Sequence, residues 1–385
     1  MIRLASVLIL LLLAPLQAAA FDTKARAAYV IDQTTGTVLL SKNADEPLPP
    51  ASMSKLMTLY MAFEAIRDGQ LSMSEMLPVS EHAQSYGGSS MFLQSGETVS
   101  VEDLLRGIIV LSGNDACVVL AEALSEDGRE GGFARMMTRK AVDLGMTNSI
   151  FINSNGWPAP GHVMSLRDLG LLAHRLMVDF PEFYPMFAET EFAFDNRVPS
   201  NRLNRNPLLS MNIGADGLKT GHTEEAGYGL TGSARQGDRR VIFVVSGIDT
   251  SAERAQESQA IVNWAFRQFA ARPMVSGGEK FADADVWMGS EPTVGLIAEQ
   301  DYSVLLPIRA GTELEAEVVF NGPIEAPVSK GQQLAELVFA PDGLEERRIP
   351  LVADRDIAAG GFVSRMSTVA LVLFNRFVQG PEGET

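Results

Sequence analysis

Hydrophobic and polar positions divide the chain from residue 21 onward into segments of two different periods. Residues 27–32 and 37–41 alternate in the way that predicts two strands, with a turn at residues 34–36 between them. Five segments carry apolar residues at helical spacing: 55–66, 101–109, 115–124, 133–144 and 166–178. Ser165 and Asp168, at the start of the last of them, are spaced as a helix-capping box.

Strand-like patterns return in the second half of this region. They cover residues 217–222, 227–234 and 240–248, and a helical pattern follows at 252–271. Strands at both ends with helices between them predict one α/β (α+β) domain whose sheet unites the two ends of the segment. We place this domain at residues 21–272.

The pattern changes beyond Gly277 and Gly278. Short alternating segments follow, separated by glycine, proline and acidic turns; they include residues 302–306, 314–320 and 333–339. This pattern of short strands and turns predicts a small all-β domain, which we place at residues 273–357.

Both ends of the chain carry apolar segments of another kind. Arg3, an apolar run at residues 4–16 and three alanines ending at Ala20 are typical of a secretory signal peptide, cut after Ala20. The run is shorter than the ~20 residues of a spanning helix, and an uncleaved anchor is the alternative for residues 1–20.

The other apolar segment lies near the C-terminus. Residues 358–379 predict an amphipathic helix for the membrane interface, because their only charges are Arg365 and Arg376. A helix packed on the β domain is the alternative. Residues 380–385 are expected to be disordered.

Composition excludes several classes of function. A net charge of −17 argues against a nucleic-acid partner. The four histidines are scattered singly, and no H-E-x-x-H or C-x-x-C motif occurs, so we expect neither a metal nor another cofactor. Cys117 is the only cysteine, so an exported chain would depend on core burial rather than on an intrachain disulfide.

Candidate chemistry begins at Ser52 and Lys55, which stand three residues apart at a predicted helix start. Residues at this spacing share one helix face, so the lysine amine can take the serine proton without a histidine. The lysine qualifies as a base only when neutral, which requires burial and a neighbouring cation such as Lys219 to lower its pKa. A capped surface helix is the alternative interpretation.

Two further motifs follow in order. Ser112, Gly113 and Asn114 interrupt an apolar helix; Ser112 can relay a proton and Asn114 can donate to a substrate amide or to Lys55, or the triplet only ends one helix and caps the next.

The third motif, Lys219-Thr220-Gly221, lies on a predicted strand. Lys219 and Thr220 can bind a carboxylate, while Gly221 lets a ligand backbone lie against the strand. A solvated lysine on an edge strand is the alternative.

The three motifs together are far more specific than any one of them. With this order, the chain resembles the penicillin-binding proteins and class A β-lactamases, and most of all the low-molecular-mass D-alanyl-D-alanine carboxypeptidases of the penicillin-binding protein 5 and 6 type. The matching stretches are residues 50–55, 111–117, 203–206 and 216–223. The chain departs from the family pattern at Asn155, where relatives often carry a histidine.

The resemblance implies a fold and a reaction. The fold is a penicillin-binding transpeptidase-like, or β-lactamase-like, domain with a helical subdomain, followed by the small β domain and the C-terminal helix. In the reaction, Ser52 attacks the carbonyl between two terminal D-alanines of a peptidoglycan stem pentapeptide, and water hydrolyses the acyl-enzyme. β-Lactam antibiotics would acylate the same serine, and the cellular role would be peptidoglycan biosynthesis and cell-shape maintenance.

The resemblance also implies roles for binding residues. The oxyanion donors are the backbone N–H groups of Ser52 and His222. Arg205 and Arg254 join Lys219 and Thr220 in holding the terminal carboxylate, although either arginine could instead belong to a structural ion pair.

Two other functions stay open at this point. A D,D-endopeptidase would cut crosslinks with the same residues, and a wall-binding protein would keep the fold without turnover. The signal-peptide pattern and the C-terminal segment, together with the resemblance, lead us to expect the protein at the periplasmic or outer face of the cytoplasmic membrane, peripherally attached.

Overall fold

The computed structural model describes residues 21–308, 316–340, 344 and 346–361. The predicted signal peptide at 1–20 and nearly all of the predicted anchor and tail lie outside the described residues. Within the described part, no helix is long and apolar enough to cross a membrane.

The first domain combines a central antiparallel sheet with a helical layer. Its strands are β1 (Ala27–Asp32), β2 (Thr37–Lys42), β3 (Met76–Pro78), β4 (Thr98–Ser100), β5 (Ala215–Thr223), β6 (Gly227–Gln236) and β7 (Arg239–Ile248). Its helices are α1 (Lys55–Arg67), α2 (Glu81–Ser85), α3 (Val101–Arg106), α4 (Asn114–Leu124), α5 (Glu130–Asp143), α6 (Leu166–Asp179) and α7 (Ser251–Gln268). The order β2-β1-β7-β6-β5 confirms that one sheet unites the two ends of the domain.

Alternation along β7 explains the two layers around this sheet. Ile242 and Val244 lie in the core shared with the helical subdomain and α6. Phe243 and Val245 point to the opposite face, where they lie in a core with Ile261 of α7. Successive strand residues face opposite sides of a sheet, so a strand covered by helices on both faces is apolar throughout.

Several local details differ from the predicted ones. Helix α7 ends at Gln268 rather than at 271, because Phe269 begins a strand. Helix α3 ends at Arg106 and continues as a π-helical turn, Gly107–Leu111. Ser165 accepts from the Asp168 N–H (3.1 Å), but the carboxylate of Asp168 binds elsewhere, so only half of the capping box forms.

The second domain is all-β within the described residues, as predicted. Strand β8 (Phe269–Val275) pairs with β11 (Tyr302–Pro307). A six-stranded sheet in the order β12-β14-β15-β10-β9-β13 comprises β9 (Lys280–Trp287), β10 (Thr293–Ala298), β12 (Ala316–Val319), β13 (Ile324–Glu325), β14 (Gln333–Phe339) and β15 (Arg347–Ala353). Arg347 of β15 donates to the carbonyls of Gly36 (2.8 Å) and Thr35, which ties this domain to the β1–β2 hairpin.

Candidate active site

The pair Ser52 and Lys55 lies where a 3-10 turn, Ala51–Ser54, runs into α1. Ser52 is half-buried, whereas the side chain of Lys55 is fully buried at the junction of the sheet and the helical subdomain. Their side chains meet as the spacing predicts, with Lys55 Nζ 2.8 Å from Ser52 Oγ.

Lys55 Nζ has two further hydrogen-bond partners, both of them oxygens. The Asn114 side-chain carbonyl accepts at 2.7 Å and the Asn155 backbone carbonyl at 2.5 Å. Burial, with a smaller contribution from the nearby positive charge of Arg205, lowers the pKa of Lys55 to about 8. A substantial fraction of the amine is therefore neutral near pH 8 and can accept a proton from Ser52.

Ser112 and Asn114 bring the helical subdomain to the same place. Ser112 ends the π-helical turn with φ +62°, a left-handed conformation that is uncommon outside glycine and is found at functional sites. Asn114 accepts from Lys55 and uses its amide N–H to donate to the Gly87 carbonyl (2.8 Å). The expected donation from Asn114 to Lys55 is thus reversed, because the amine supplies the proton.

Strand β5, at the edge of the sheet, carries the third motif. Lys219 is buried and donates to Ser112 Oγ (3.0 Å) and to the Thr220 carbonyl (3.1 Å). Burial, and then the like charge of Lys55, place the pKa of Lys219 well below its usual range. The alternative of a solvated edge-strand lysine is therefore wrong.

Gly221 has a packing role that the sequence did not predict. A Cβ at this position would lie 3.0 Å from the Pro50 carbonyl oxygen and 3.1 Å from Met53 Cγ. The absence of a side chain lets the turn that carries Ser52 approach β5. His222, the next residue, is exposed and stacks on Tyr228 with ring centroids 3.8 Å apart.

The two arginines lie close to each other and to Lys219. Arg254 is buried, its guanidinium lies over the ring of Tyr228, and it donates to the Arg205 carbonyl (3.3 Å). Arg205 is exposed and donates to Ser89 Oγ. Among the described residues neither arginine forms an ion pair with an acid, so the geometry gives no support to a structural ion pair.

Sequence reasoning missed the residues that hold the Asn155 carbonyl. The Glu130 carboxylate binds Ser154, and the Thr58 hydroxyl donates to the Ser154 carbonyl (2.5 Å). The only signal in the sequence is the run Asn153-Ser154-Asn155-Gly156, whose residue types favour a tight loop. Among the described residues, His162 forms no hydrogen bond with Ser52 or Lys55; its Nε2 lies 3.2 Å from Ser54 Oγ.

The arrangement can perform acyl transfer without a metal or a histidine base. The site brings together a hydroxyl, a buried amine of lowered pKa, a second hydroxyl held by a lysine, and two arginines whose charges act on the lysines. Within the described residues, no group of three or more histidine, cysteine or acidic side chains could hold a metal ion.

Solved structures with this architecture define the class. Penicillin-binding protein 5 from Haemophilus influenzae is 32% identical, with a TM-score of 0.77 over 88% of this chain and 98% of that one. Penicillin-binding protein 6B from Escherichia coli is 31% identical, with a TM-score of 0.69 over 88% of this chain and 98% of that one. The fold is that of the penicillin-binding proteins, and the chain is a serine hydrolase.

Sequence comparisons give the family. The D-alanyl-D-alanine carboxypeptidase model of peptidase family S11 matches residues 14–250, and the C-terminal domain model of penicillin-binding protein 5 matches residues 269–359. D-alanyl-D-alanine carboxypeptidase DacC of Escherichia coli (strain K12) is 38% identical over 362 residues, 92% of this chain and 89% of that protein. DacF of Bacillus subtilis (strain 168) is 35% identical over 350 residues, 89% of this chain and 88% of that protein. The chain belongs to the D-alanyl-D-alanine carboxypeptidase family.

Proposed function

We propose that this protein is a serine-type D-Ala-D-Ala carboxypeptidase that removes the terminal D-alanine from peptidoglycan stem pentapeptides. The observation that carries the proposal is the contact of Lys55 Nζ with Ser52 Oγ, in a chain whose relatives are named for this activity. β-Lactams, which present a strained amide to the same serine, are the expected covalent inhibitors.

The acylation step follows from the contacts of Ser52. As its Oγ bonds to the carbonyl carbon between the two D-alanines, the proton passes to the neutral amine of Lys55. The resulting oxyanion is stabilised by the backbone N–H groups of Ser52 and His222, each of which contributes about 3 kcal/mol in comparable enzymes.

Collapse of the tetrahedral intermediate breaks the peptide bond and needs a proton on the leaving nitrogen. We assign to Ser112, whose Oγ accepts from Lys219, the transfer of that proton from Lys55 to the departing D-alanine. Water then bonds to the acyl carbon while the Lys55 amine takes its proton; the ester bond to Ser52 Oγ breaks, and that proton returns to Oγ to regenerate the serine.

Binding of the terminal carboxylate is assigned to Lys219, Thr220, Arg205 and Arg254. The support is that Arg254 is buried with no acidic partner among the described residues, and burial lowers its pKa. A carboxylate ligand would compensate a buried guanidinium of this kind.

Labelling with a fluorescent penicillin tests the proposal, alongside release of D-alanine from a stem pentapeptide. We expect the wild type to form a covalent band and to release D-alanine, and Ser52→Ala to do neither while keeping its thermal midpoint. A wild type that remains unlabelled, or that cuts only a crosslinked dimer, would contradict it.

We also propose that the protein works outside the cytoplasmic membrane and is attached to it through residues 358–379. The support is the apolar N-terminal run and the apolar C-terminal pattern with two charges. Removal of residues 361–385 should leave the hydrolysis of soluble peptide unchanged and move the protein to the soluble fraction. Continued sedimentation of the truncated protein with membranes would contradict the anchor.

A further inference from the structure

Glu130, the first residue of α5, has a buried carboxylate that no step above uses. Its side chain is 6% exposed. One oxygen accepts from Ser154 N–H (2.9 Å) and Ser154 Oγ (2.7 Å), and the other accepts from Tyr86 Oη (2.7 Å) and lies 2.9 Å from His82 Nε2. A carboxylate has about four lone-pair positions, so each of them has a partner.

The Ser154 end of this network leads directly to the base. Glu130 holds the backbone N–H and the hydroxyl of Ser154, and Thr58 of α1 holds its carbonyl. The next carbonyl along the chain, that of Asn155, accepts from Lys55 Nζ at 2.5 Å. Three atoms of Ser154 are thus held in place, and the next carbonyl along the chain is the one that contacts the Lys55 amine.

The number of protons on a neutral amine shows why the Asn155 carbonyl oxygen affects the direction of the Lys55 lone pair. Neutral lysine has two N–H donors and one lone pair, whereas the ammonium has three donors. The oxygens of Asn114 and Asn155 take two donors, which leaves the lone pair of Lys55 directed at Ser52 Oγ. If the Asn155 carbonyl moved away, the amine could rotate and its lone pair would lose that direction.

We propose that Glu130 is a positioning residue for acylation: it anchors Ser154 so that the Asn155 carbonyl holds the Lys55 amine with its lone pair on Ser52. The inference rests on the proposed function and adds to it a residue outside the three motifs.

The charge of Glu130 offers a readout that a purely structural role would not move. Lys55 is faced by Cys117 and Asp115 of α4, by Glu130 of α5, by Lys219 of β5 and by Arg205 and His162 from loops. Of these, Cys117, Asp115 and, to the smallest extent, Glu130 favour the charged amine. Neutralisation of the Glu130 carboxylate therefore lowers the pKa of Lys55.

Glutamine separates position from charge at this site. In Glu130→Gln, the amide oxygen can still accept from Ser154, and the NH2 group can donate to the Tyr86 hydroxyl. In Glu130→Ala, both the anchor and the charge are lost. Glu126→Gln is the matched control, because Glu126 is an exposed acid of the preceding loop.

The experiment measures the second-order acylation rate of the full chain by a fluorescent penicillin from about pH 5 to about pH 10, together with the thermal midpoint. We expect Glu130→Ala to acylate at least about tenfold more slowly. We expect the acylation rate of Glu130→Gln at its own pH optimum to stay within about threefold of the wild-type rate. The ascending limb of its pH–rate profile should lie at lower pH than that of the wild type. The control, Glu126→Gln, should match the wild type in acylation rate and in the pH of its ascending limb.

Three outcomes would overturn the inference. Glu130→Ala could acylate at the wild-type rate, Glu130→Gln could be as slow as Glu130→Ala, or the ascending limb of the Glu130→Gln profile could lie at the same pH as in the wild type. If Glu130→Ala does not fold, the acylation rate of Glu130→Gln and the pH of its ascending limb still test the inference. Failure of the wild type to acylate would instead reject the proposed function, so the two failures are distinguishable.

Discussion

Gly221 of strand β5 lies against Pro50, the residue that precedes the turn of the candidate nucleophile. A Cβ at Gly221 would come within 3.0 Å of the Pro50 carbonyl oxygen, closer than ordinary van der Waals contact. The strand that carries Lys219 and Thr220 and the turn that bears Ser52 are therefore in direct contact, and the distance between them depends on one missing side chain.

Gly221→Ala should slow acylation by about tenfold, because the turn must shift by a few tenths of an ångström to make room. The rate of covalent penicillin labelling measures this effect. Gly131→Ala is the control, since its Cβ would meet only Arg135 Nη1 at 3.9 Å. Equal rates for Gly221→Ala and the wild type would show that the contact has no influence on Ser52.

Lys55→Met should change how stability depends on pH. The pKa of Lys55 in the folded chain is about 8, below its ordinary 10.5, so between these values the unfolded chain binds more protons. The stability of the wild type therefore rises with pH across this window, by up to about 3 kcal/mol relative to the variant. Urea denaturation at about pH 7 and about pH 10 measures this difference; parallel changes in the two proteins would contradict the lowered pKa.

Arg205→Gln should move the ascending limb of the acylation profile to higher pH. The positive charge of Arg205 helps to lower the pKa of Lys55, so its loss raises that pKa and requires a higher pH for the neutral amine. The shift is opposite in sign to that expected for Glu130→Gln. It should shrink at high salt because Arg205 is exposed; a limb that stays in place at low salt would show that this charge does not reach Lys55.

Arg254→Gln should lower kcat/KM for a peptide ending in D-Ala-D-Ala by about 10-fold to 100-fold, the value of one charged hydrogen bond. A peptide with a C-terminal amide should be cleaved slowly and equally by the variant and the wild type. Arg235→Gln, at an exposed arginine of β6, is the matched control. Equal losses for acid and amide peptides would assign Arg254 to structure rather than to the carboxylate.

Most of the architecture could be predicted from the chain alone. The hairpin of β1 and β2, the helices α1, α4 and α6 and the strands β5 to β7 lie within a few residues of their predicted places. Local hydrophobic periodicity encodes these elements, because each must present one face or both to a core. The helix predicted to residue 271 ended earlier because β8 finds a partner in β11, a pairing that no local pattern contains.

The linear chain already contains the order of the three motifs, the type of each candidate side chain and the family that they define. Folding is what brings the Asn155 carbonyl, 100 residues from Lys55, and the Asn114 oxygen, 59 residues away, to the amine. A backbone carbonyl has no identity in a sequence, and the lowered pKa of Lys55 comes from burial among segments that meet only on folding. Residue types and spacing are local properties, whereas the direction of a lone pair depends on how distant segments pack.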